Sequence, residues 1–227
     1  MSGREAVLSR IRQSLGVTGK EETRRREVAE RLADLPRGVI PARGQLPDEA
    51  RIGLFMAQVE KALATIERLP SADLVPEAIA MYLRSKNLPA GLKRGDDPRL
   101  AALPWEKASQ LEIATGRTDG HDLVGVSHGE AGVAESGTLV MLSGPDNPST
   151  LNFLPDYHIV VLSAADVTGD YETAFDRIRA KYGQGVLPRT VNFITGPSRT
   201  ADVAQKLELG AHGPRRLLVL VVEYLEA

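Results

Sequence analysis

Apolar residues along the first part of the chain recur at helical spacing. The first set lies within residues 7–15, stops at Gly16 and predicts a short amphipathic helix with a basic rim. A second set over residues 48–69 predicts a longer helix, and residues 76–85 fit a shorter one. The apolar positions of the two sets are Val7, Leu8, Ile11 and Leu15, and then Ile52, Phe55, Val59, Leu63, Ile66 and Leu69.

The spacing changes after residue 110, where short apolar runs are bounded by Gly, Pro, Asp and Asn. These runs predict strands. Helices are predicted between the last three strands, over residues 171–182 and 198–207. Such alternation is typical of parallel pairing, so we expect the α/β fold class, with a sheet covered by helices on both faces. We predict a helical N-terminal arm over residues 1–70 and an α/β domain over residues 71–227. The predicted strands cover residues 111–114, 123–126, 138–142, 158–162, 191–194 and 217–222.

Composition removes several classes of function. The 227 residues have a formal net charge of −2, which gives no general argument for binding nucleic acid or an anionic membrane. The chain has no cysteine, so it cannot form disulfides, use a thiolate nucleophile or supply cysteine ligands to zinc or iron–sulfur clusters. Its longest apolar run covers residues 217–222, far short of the roughly 20 residues that span a membrane. Without a secretory signal pattern, the expected location is the cytoplasm.

The N-terminal part is basic, with ten Lys or Arg and six Asp or Glu in residues 1–45. The run Arg24–Arg25–Arg26 is either a patch for an anion, a membrane or a partner, or a solvated helix face, because glutamates interleave with the arginines. Residues 36–47 contain several prolines and glycines, which predicts a linker.

A glycine-rich segment, residues 125–138, leads into the predicted strand 138–142. Glu135 in this segment has small and apolar neighbours, and partial desolvation of a carboxylate suits it to acid–base or nucleophilic work. Gly137 would allow a ligand to approach the backbone, and Ser136 and Thr138 are candidate ligand-binding residues beside it. The alternative for Glu135 is a solvent-exposed glutamate in a turn.

A second segment follows the predicted strand 191–194 and leads into the predicted helix 198–207. Ser198 is a candidate N-cap and Asp202 would lie in the first helical turn. Free backbone N–H groups together with Ser198, Arg199 and Thr200 would form an anion pocket beside Gly196. The alternative is a well-capped helix with a surface arginine, and the spacings of a P-loop and of a G-x-G-x-x-G fingerprint are both absent.

The third candidate segment, residues 209–214, precedes the last strand and contains His212 and Gly213. A loop histidine between small residues can act as a general base, or it can be a turn residue bonded to the backbone. The four histidines lack the spacing of a metal site, and no G-x-S-x-G elbow exists, so we expect no metal. We expect the three segments to meet at the carboxyl edge of the sheet, where α/β proteins bind ligands.

Four ordered motifs make the chain resemble the LUD domain family, and within it the LutC-like branch. The opening residues 7–15 also look like those of this branch, so the resemblance covers nearly the whole chain. Small departures exist: Ser136 stands where threonine is common, and Asp156–Tyr157 replaces a Pro-Val pair before His158. The four motifs are Ala134–Glu135–Ser136–Gly137–Thr138, residues 154–160 (LPDYHIV), residues 194–202 (ITGPSRTAD) and residues 209–214 (LGAHGP).

The resemblance implies a fold similar to the NagB/RpiA/CoA-transferase-like architecture, which is Rossmann-like. It also implies a role in oxidising L-lactate to pyruvate beside LutA-like and LutB-like partner proteins that carry iron–sulfur clusters. This cysteine-free chain would be the non-redox subunit of that system, with no cofactor of its own. Glu135 matches a glutamate that serves as nucleophile or acid–base in CoA-transferase-like relatives.

Three functional hypotheses stay open at this point. The first is a lactate-utilization subunit that binds a small carboxylate or phosphate through Ser198, Arg199 and Thr200, with Glu135 and His212 at the reactive carbon. The second is a stand-alone enzyme of the CoA-transferase or sugar-phosphate isomerase type that uses Glu135. The third is a non-catalytic assembly subunit that binds its partners through the helices predicted at 7–15 and 48–69. A homo-oligomer is also possible, in which the first helix binds a second copy of the chain.

Overall fold

The computed structural model describes residues 2–34, 37–200 and 208–223. Its internal contacts divide the chain into two compact units, Met1–Val39 and Ile40–Ala227. The first unit contains helices α1 (Gly3–Ser14) and α2 (Glu22–Asp34). Helix α1 confirms the helix predicted at residues 7–15.

Local hydrogen bonds begin α1, because Ser2 and Glu5 form a reciprocal capping box. The Glu5 N–H donates to Ser2 Oγ at 3.2 Å, and the Ser2 N–H donates to Glu5 Oε2 at 2.7 Å. Neither α1 nor α2 has a buried residue. Most of the large apolar side chains of this unit are therefore exposed, and those more than half exposed are Val7, Leu15, Val28, Leu32 and Val39.

The second unit mixes helices and strands. Its helices are α3 (Asp48–Lys61), α4 (Val75–Ser85), α5 (Pro98–Ala101), α6 (Ser149–Phe153) and α7 (Tyr171–Tyr182). Its strands are β1 (Thr65–Leu69), β2 (Gly91–Arg94), β3 (Glu112–Thr115), β4 (Val124–His128), β5 (Ala131–Val133), β6 (Thr138–Leu142), β7 (Tyr157–Ser163), β8 (Val167–Thr168), β9 (Val191–Ile194), β10 (Arg199–Thr200), β11 (Glu208–Leu209) and β12 (Arg216–Val222).

The strands form a central parallel sheet and a smaller second sheet. The central sheet has the order β1-β12-β7-β4-β2-β3, and every neighbouring pair in it is parallel. The second sheet has the order β8-β5-β6-β9, in which β6 pairs antiparallel with both β5 and β9. Strands β10 and β11 form a separate antiparallel ladder.

Strand β12 shows how the central sheet is buried on both faces. Leu217, Val219 and Val221 join the hydrophobic cluster that contains α3, whereas Leu218, Leu220 and Val222 join the cluster that contains α4 and α5. Side chains of a strand alternate between faces, so a strand covered on both sides is a continuous apolar run. This double burial explains why the run was visible in the sequence.

The layers follow from these clusters. Helices α4 and α5 cover one face of the central sheet, and α3 together with the second sheet covers the other. Helix α7 packs on the outer face of the second sheet, where Ile178 contacts the cluster of Val133 and Val140. The predicted α/β class, with a parallel sheet and helices on both faces, is confirmed, and the second sheet was not predicted.

The helix predicted over residues 48–69 ends at Lys61 and is followed by β1. Leu63 adopts φ +68°, and the Ala64 N–H donates to the Val59 carbonyl at 3.2 Å, so the chain reverses there. Ile66 and Leu69 then lie in β1, although their spacing continues the helical pattern. Because β1 pairs with β12, α3 and β1 belong to the second unit, whereas we predicted them in the arm.

Two further segments differ from their predictions. Residues 191–194 form a strand as predicted, but β9 pairs antiparallel with β6 in the second sheet rather than joining the parallel one. Part of the predicted linker 36–47 packs closely instead. A Cβ on Gly44 would lie 2.0 Å from the Gly169 carbonyl oxygen, so only glycine fits this crossing.

A prediction follows from Gly137, which has φ +67° in the turn between β5 and β6. A Cβ there would lie 2.6 Å from backbone atoms of Gln58 and Val59 in α3. Gly137→Ala should therefore lower the free energy of unfolding by about 3 kcal/mol or more, through a backbone clash and a strained φ. Urea denaturation measures this change.

Gly53→Ala is the matched control, because a Cβ on this α3 glycine would meet nothing within 4 Å. Replacing a helical glycine by alanine should raise the free energy of unfolding by about 0.5–1 kcal/mol. Equal effects of the two substitutions would contradict the packing of the turn on α3.

Candidate functional site

A cavity of about 250 Å³ lies where β7 and β12 begin. His158 is the second residue of β7 and Leu217 the second residue of β12, so this is the amino edge of the central sheet. We predicted that the three candidate segments meet at the carboxyl edge of the sheet. The two segments that line this cavity lie at the amino edge instead. The lining residues are Asn152, Phe153, His158, Phe193, Ile194, Gly196, Pro197, Ser198, Arg199, His212, Gly213, Pro214 and Leu217.

The second and third candidate segments do come together here, as expected. Gly196, Ser198, Arg199, His212 and Gly213 all line the cavity. Hydrogen bonds between the two segments hold the wall in place. The Ser198 N–H donates to the Pro214 carbonyl at 2.8 Å, and the His212 N–H donates to Ser198 Oγ at 3.3 Å.

Ser198 is not the N-cap of a helix. The residues after it, Arg199 and Thr200, form β10 and pair with Leu209 and Glu208 of β11. The anion pocket predicted from free N–H groups of a helix start at Ser198 is therefore wrong, because Arg199 and Thr200 are extended and pair with β11. Residues 201–207 of the predicted helix, Asp202 among them, lie outside the described residues.

Arg199 supplies a positive charge to the cavity wall. Its side chain is exposed and forms no ion pair with a carboxylate of the described ranges 2–34, 37–200 and 208–223. A guanidinium in this state can pair with the carboxylate or phosphate of a ligand through charge-assisted hydrogen bonds. The charge on the wall therefore favours an anion.

Two residues that line the cavity, Asn152 and His158, belong to a hydrogen-bonded chain of neutral side chains. This chain is here named the polar relay (Ser127, Asn152 and His158). Ser127 Oγ donates to Asn152 Oδ1 at 3.1 Å and lies 3.1 Å from His158 Nε2. Because the serine proton is used on the asparagine, Ser127 Oγ accepts from His158 Nε2–H. The imidazole is thus protonated on Nε2, which leaves Nδ1 as a hydrogen-bond acceptor.

Burial keeps the relay neutral. His158 is 1% exposed, and its burial lowers the pKa of the imidazole to about 3. His158 Nδ1 and Asn152 Nδ2 have no hydrogen-bond partner among the residues that the structure describes. From the sequence, His158 was predicted only as a strand residue, and neither Asn152 nor Ser127 was predicted to belong to the site. No local pattern could have shown that these residues contact one another, since 25 and 31 residues separate Ser127 from its two partners.

Glu135 does not line this cavity. It lies in the turn after β5, its side chain is 5% exposed, and its Oε2 is 3.5 Å from Nη2 of the exposed Arg43. Its N–H donates to the Gly169 carbonyl at 3.2 Å. Gly169 also lines a separate cavity of about 470 Å³ beside Gln45 and Asp170. The alternative of a solvent-exposed Glu135 is wrong, and the predicted pairing of Glu135 with His212 in one cavity does not occur.

Ser136 and Thr138 take part in a hydroxyl cluster rather than in the cavity. Ser136 Oγ and Thr138 Oγ1 lie 2.9 and 2.8 Å from the Tyr171 hydroxyl. Thr138 Oγ1 also lies 2.7 Å from Thr195 Oγ1. The group that approaches Gly137 is the backbone of α3, not a ligand.

The carboxyl edge of the central sheet carries a network of ion pairs around His128, the last residue of β4. Arg99 pairs with Asp97 at 2.7 Å, Lys181 pairs with Glu130 at 2.7 Å, and Arg177 pairs with Asp166. Burial, and then the Arg99 charge, lower the pKa of His128 to about 3, although Asp97 opposes the shift. The network lies at the edge at which α/β proteins usually bind ligands, and its Arg177 also lines the separate cavity of about 470 Å³.

In the described ranges, no group of three or more His, Cys, Asp or Glu residues is placed to hold a metal ion. None of the helices that the structure describes is both long enough and apolar enough to cross a membrane.

Comparison with known proteins supplies a family. The model of the LUD domain matches residues 52–222. An uncharacterized protein of Neisseria meningitidis serogroup B is 33% identical over 117 residues, which cover 51% of this chain and 49% of that protein. Lactate utilization protein C of Shouchella clausii is 34% identical over 100 residues, which cover 44% of each chain. The same-named protein of Bacillus subtilis is 35% identical over 100 residues, covering 44% of this chain and 42% of that protein.

These matches span half or less of the length of the relatives named. Among solved structures, a DUF162 family protein from Deinococcus radiodurans superposes with a TM-score of 0.56 at 20% identity, covering 78% of this chain and 99% of that chain. This likeness supports the fold.

A prediction follows from the two buried histidines. Both folded-state pKa values lie near 3, below the ordinary histidine value of about 6.5, so the unfolded chain binds protons first as the pH falls. Stability is therefore full above pH 6.5 and is lost as the pH falls toward 3. Each histidine should lower the free energy of unfolding by about 2 kcal/mol between pH 7 and pH 5.

Urea denaturation at pH 7, 6 and 5 measures this loss. His158→Gln should flatten the dependence, whereas His121→Gln, at an exposed histidine, should leave it unchanged. A free energy of unfolding that stays constant from pH 7 to pH 5 would show that the imidazoles are not buried.

Proposed function

The chain belongs to the LUD domain family, and from this premise we propose that it supports L-lactate utilization by binding a small carboxylate in the cavity at the amino edge. The observation that carries the proposal is a cavity of about 250 Å³ that is lined by the neutral side chains of Asn152 and His158 and by Arg199, which pairs with no carboxylate in the part of the chain that the structure describes. The names of the relatives from Shouchella clausii and Bacillus subtilis support lactate as the metabolite.

In this proposal the system oxidises L-lactate to pyruvate in the cytoplasm. LutA-like and LutB-like partners carry the iron–sulfur clusters, since this chain has no cysteine with which to bind one. The chain itself contributes the carboxylate site.

Each part of the wall has a role in binding the acid. Arg199 pairs with the carboxylate, and Ser198, its neighbour in sequence, orients that group. Thr200, which we also predicted to bind the ligand, is not among the residues that line the cavity. Phe153, Phe193 and Leu217 provide apolar contacts for a short alkyl group. His212 lies on the same wall as Ser198 and is the acid–base residue of this site.

Two other functions have specific support. The separate cavity of about 470 Å³ and the buried Glu135 beside Arg43 favour a stand-alone enzyme of the CoA-transferase or isomerase type. The exposed apolar residues of α1 and α2 favour a non-catalytic assembly subunit, or a homo-oligomer, that uses these helices to bind partners. Variants of Arg199 and Glu135 separate the three proposals.

Arg199→Gln should weaken binding of sodium L-lactate by about tenfold or more, because a charge-assisted hydrogen bond contributes about 1.5–3 kcal/mol. Isothermal titration calorimetry of the purified chain measures the affinity, and complementation of a deletion strain on lactate measures the role in growth. Arg84→Gln, at an exposed arginine of α4, is the matched control and should change neither result. Unchanged affinity and growth of the Arg199→Gln variant would refute the proposed site.

Glu135→Gln tests the catalytic alternatives, because Glu135 lies outside the cavity at the amino edge. The variant should bind L-lactate like the wild type, co-purify with its partners and fail to support growth on lactate if Glu135 is catalytic. Glu60→Gln, in the last turn of α3, is the control. Normal growth of the Glu135→Gln strain would exclude a catalytic role for Glu135, and the Arg199→Gln variant then distinguishes the carboxylate site from the assembly function.

A further inference from the structure

A further cavity of the second unit has a volume of about 740 Å³. Three loops form it: residues 116–117 after β3, residues from 143 to 150 between β6 and the start of α6, and residues 189–190 before β9. It shares no lining residue with the cavity at the amino edge. It is here named the arginine groove, after its lining residues Arg117 and Arg189.

The charge that lines the arginine groove is positive. Among the described residues, Arg117 and Arg189 line it, and no Asp or Glu does. Both arginines are exposed, and neither pairs with a carboxylate of the ranges 2–34, 37–200 and 208–223. Residues 46–227 as a whole are acidic, with 18 Lys or Arg and 24 Asp or Glu. A concave surface with one sign of charge concentrates ions of the opposite sign, so the groove attracts anions.

The backbone on each side of Arg117 is held by hydrogen bonds. The Gly116 N–H donates to the Arg94 carbonyl at 2.9 Å, which continues the pairing of β3 with β2. Thr118 is 2% exposed, and its Oγ1 accepts from the Gly120 N–H at 3.1 Å. The exposed guanidinium is thus attached to anchored backbone, and a ligand that binds it has to order the side chain but not the loop.

The backbone beside Arg189 is held by Thr190 and Ser143. The Ser143 N–H donates to the Thr190 carbonyl at 3.0 Å, and the Thr190 N–H donates to Ser143 Oγ at 2.8 Å. The loop that begins at Ser143 packs on the end of β2, because a Cβ on Gly95 would lie 2.0 Å from the Asp146 carbonyl oxygen. Asp146 is the one acidic residue of this loop, and it does not line the groove.

Hydroxyl groups of the groove provide uncharged donors. Ser143 Oγ accepts from the Thr190 N–H, and its own proton has no acceptor among the described residues. Ser149 Oγ and Thr190 Oγ1 lie 3.3 Å apart, so one of them donates to the other and one further proton is available. Guanidinium groups and hydroxyls together suit a phosphate, which has three terminal oxygens and a charge of about −2 at pH 7.

We infer that the arginine groove binds the phosphate group of a small organic phosphate ester, as a second ligand site beside the cavity of the proposed function. Arg117 and Arg189 bind the phosphate oxygens, and Ser143 donates its hydroxyl proton. A volume of about 740 Å³ is within the roughly 300–1,000 Å³ typical of small-molecule sites, so an organic group fits beside the phosphate. Pro145 and Pro148 offer that group apolar contacts.

The composition of the lining distinguishes this ligand from a nucleic acid. Among the described residues that line the groove, none is aromatic. Proteins that bind single strands stack the bases on aromatic rings, and the groove offers no such ring. A small ester needs only the phosphate contacts and a short apolar surface, and both are present.

The experiment titrates the purified full chain at pH 7 and constant ionic strength. The probes are sodium glycerol 3-phosphate, sodium phenyl phosphate, sodium phosphate and glycerol. In calorimetry at least one ester should bind with a dissociation constant of about 1 mM or below, and about threefold or more tightly than sodium phosphate. Glycerol should not bind. In ¹H–¹⁵N NMR spectra the same ester should shift the amide signals of Gly116 and Gly144, which line the groove.

Arg117→Gln and Arg189→Gln should each weaken binding of this ester by about tenfold, because each removes a charge-assisted hydrogen bond. Both side chains are exposed, so the variants should fold like the wild type. Arg117→Lys should recover only part of the affinity, since lysine restores the charge without the planar fork. Arg84→Gln, at an exposed arginine of α4, is the matched control and should bind the ester like the wild type.

The two ligand sites are tested separately. Arg199→Gln should keep the affinity for the ester, and Arg117→Gln should keep the affinity for L-lactate. Failure of both esters to bind the wild type, affinities for both esters no greater than for sodium phosphate, or wild-type affinity in Arg117→Gln or Arg189→Gln overturns the inference. Loss of ester binding in Arg199→Gln overturns it too, because the ester would then occupy the cavity at the amino edge.

Discussion

The structure depends on the burial of both faces of β7 and β12 at the centre of the parallel sheet. Both strands are buried after their first residues, Tyr157 and Arg216, so each face needs its own cover: α4 and α5 on one side, and α3 with the second sheet on the other. A close backbone contact helps to hold α3 over the sheet, because Gly137 lets the turn after β5 lie against the backbone of α3. The double burial also gives His158 its low exposure and neutral state, since it begins a strand that is buried along most of its length.

The two edges of the central sheet differ in their polar groups, and a cavity lies beside each of them. At the carboxyl edge, Asp97, Glu130 and Asp166 pair with basic side chains, and these ion pairs surround His128. At the amino edge, the chain enters β7 and β12 through segments that are held by hydrogen bonds from Ser198 and His212. Those bonds link loop to loop rather than loop to sheet, which leaves a cavity over His158 and Leu217. The site is therefore a product of how the loops pair.

Helices and strands could be predicted from the sequence where a local pattern of apolar residues has a single physical cause. Residues 217–222 and 158–162 were predicted as strands because double burial leaves a continuous apolar run, and α7 because its apolar spacing matches one covered face. Prediction failed where the cause lies elsewhere in the chain. Ile66 and Leu69 keep helical spacing but belong to β1, which pairs with β12 at the other end of the chain. Residues 198–200 have the residue types of a helix start, but Arg199 and Thr200 pair with the nearby β11 instead. Among the residues at the cavity, Arg199 and His212 were predicted from the sequence. Asn152 and Ser127 could not be predicted, because their hydrogen bonds join residues that are distant in sequence.

The distribution of charge around the cavity follows from the cost of burying ions. A charged group at the base, beside β7, would lose its hydration and raise the free energy of the folded state by several kcal/mol. Neutral serine, asparagine and imidazole groups bond to one another there at far lower cost. The positive charge lies instead on the exposed Arg199, where water solvates it. In the proposed function, the charge that attracts the anion therefore lies on a different part of the wall from the neutral groups beside β7.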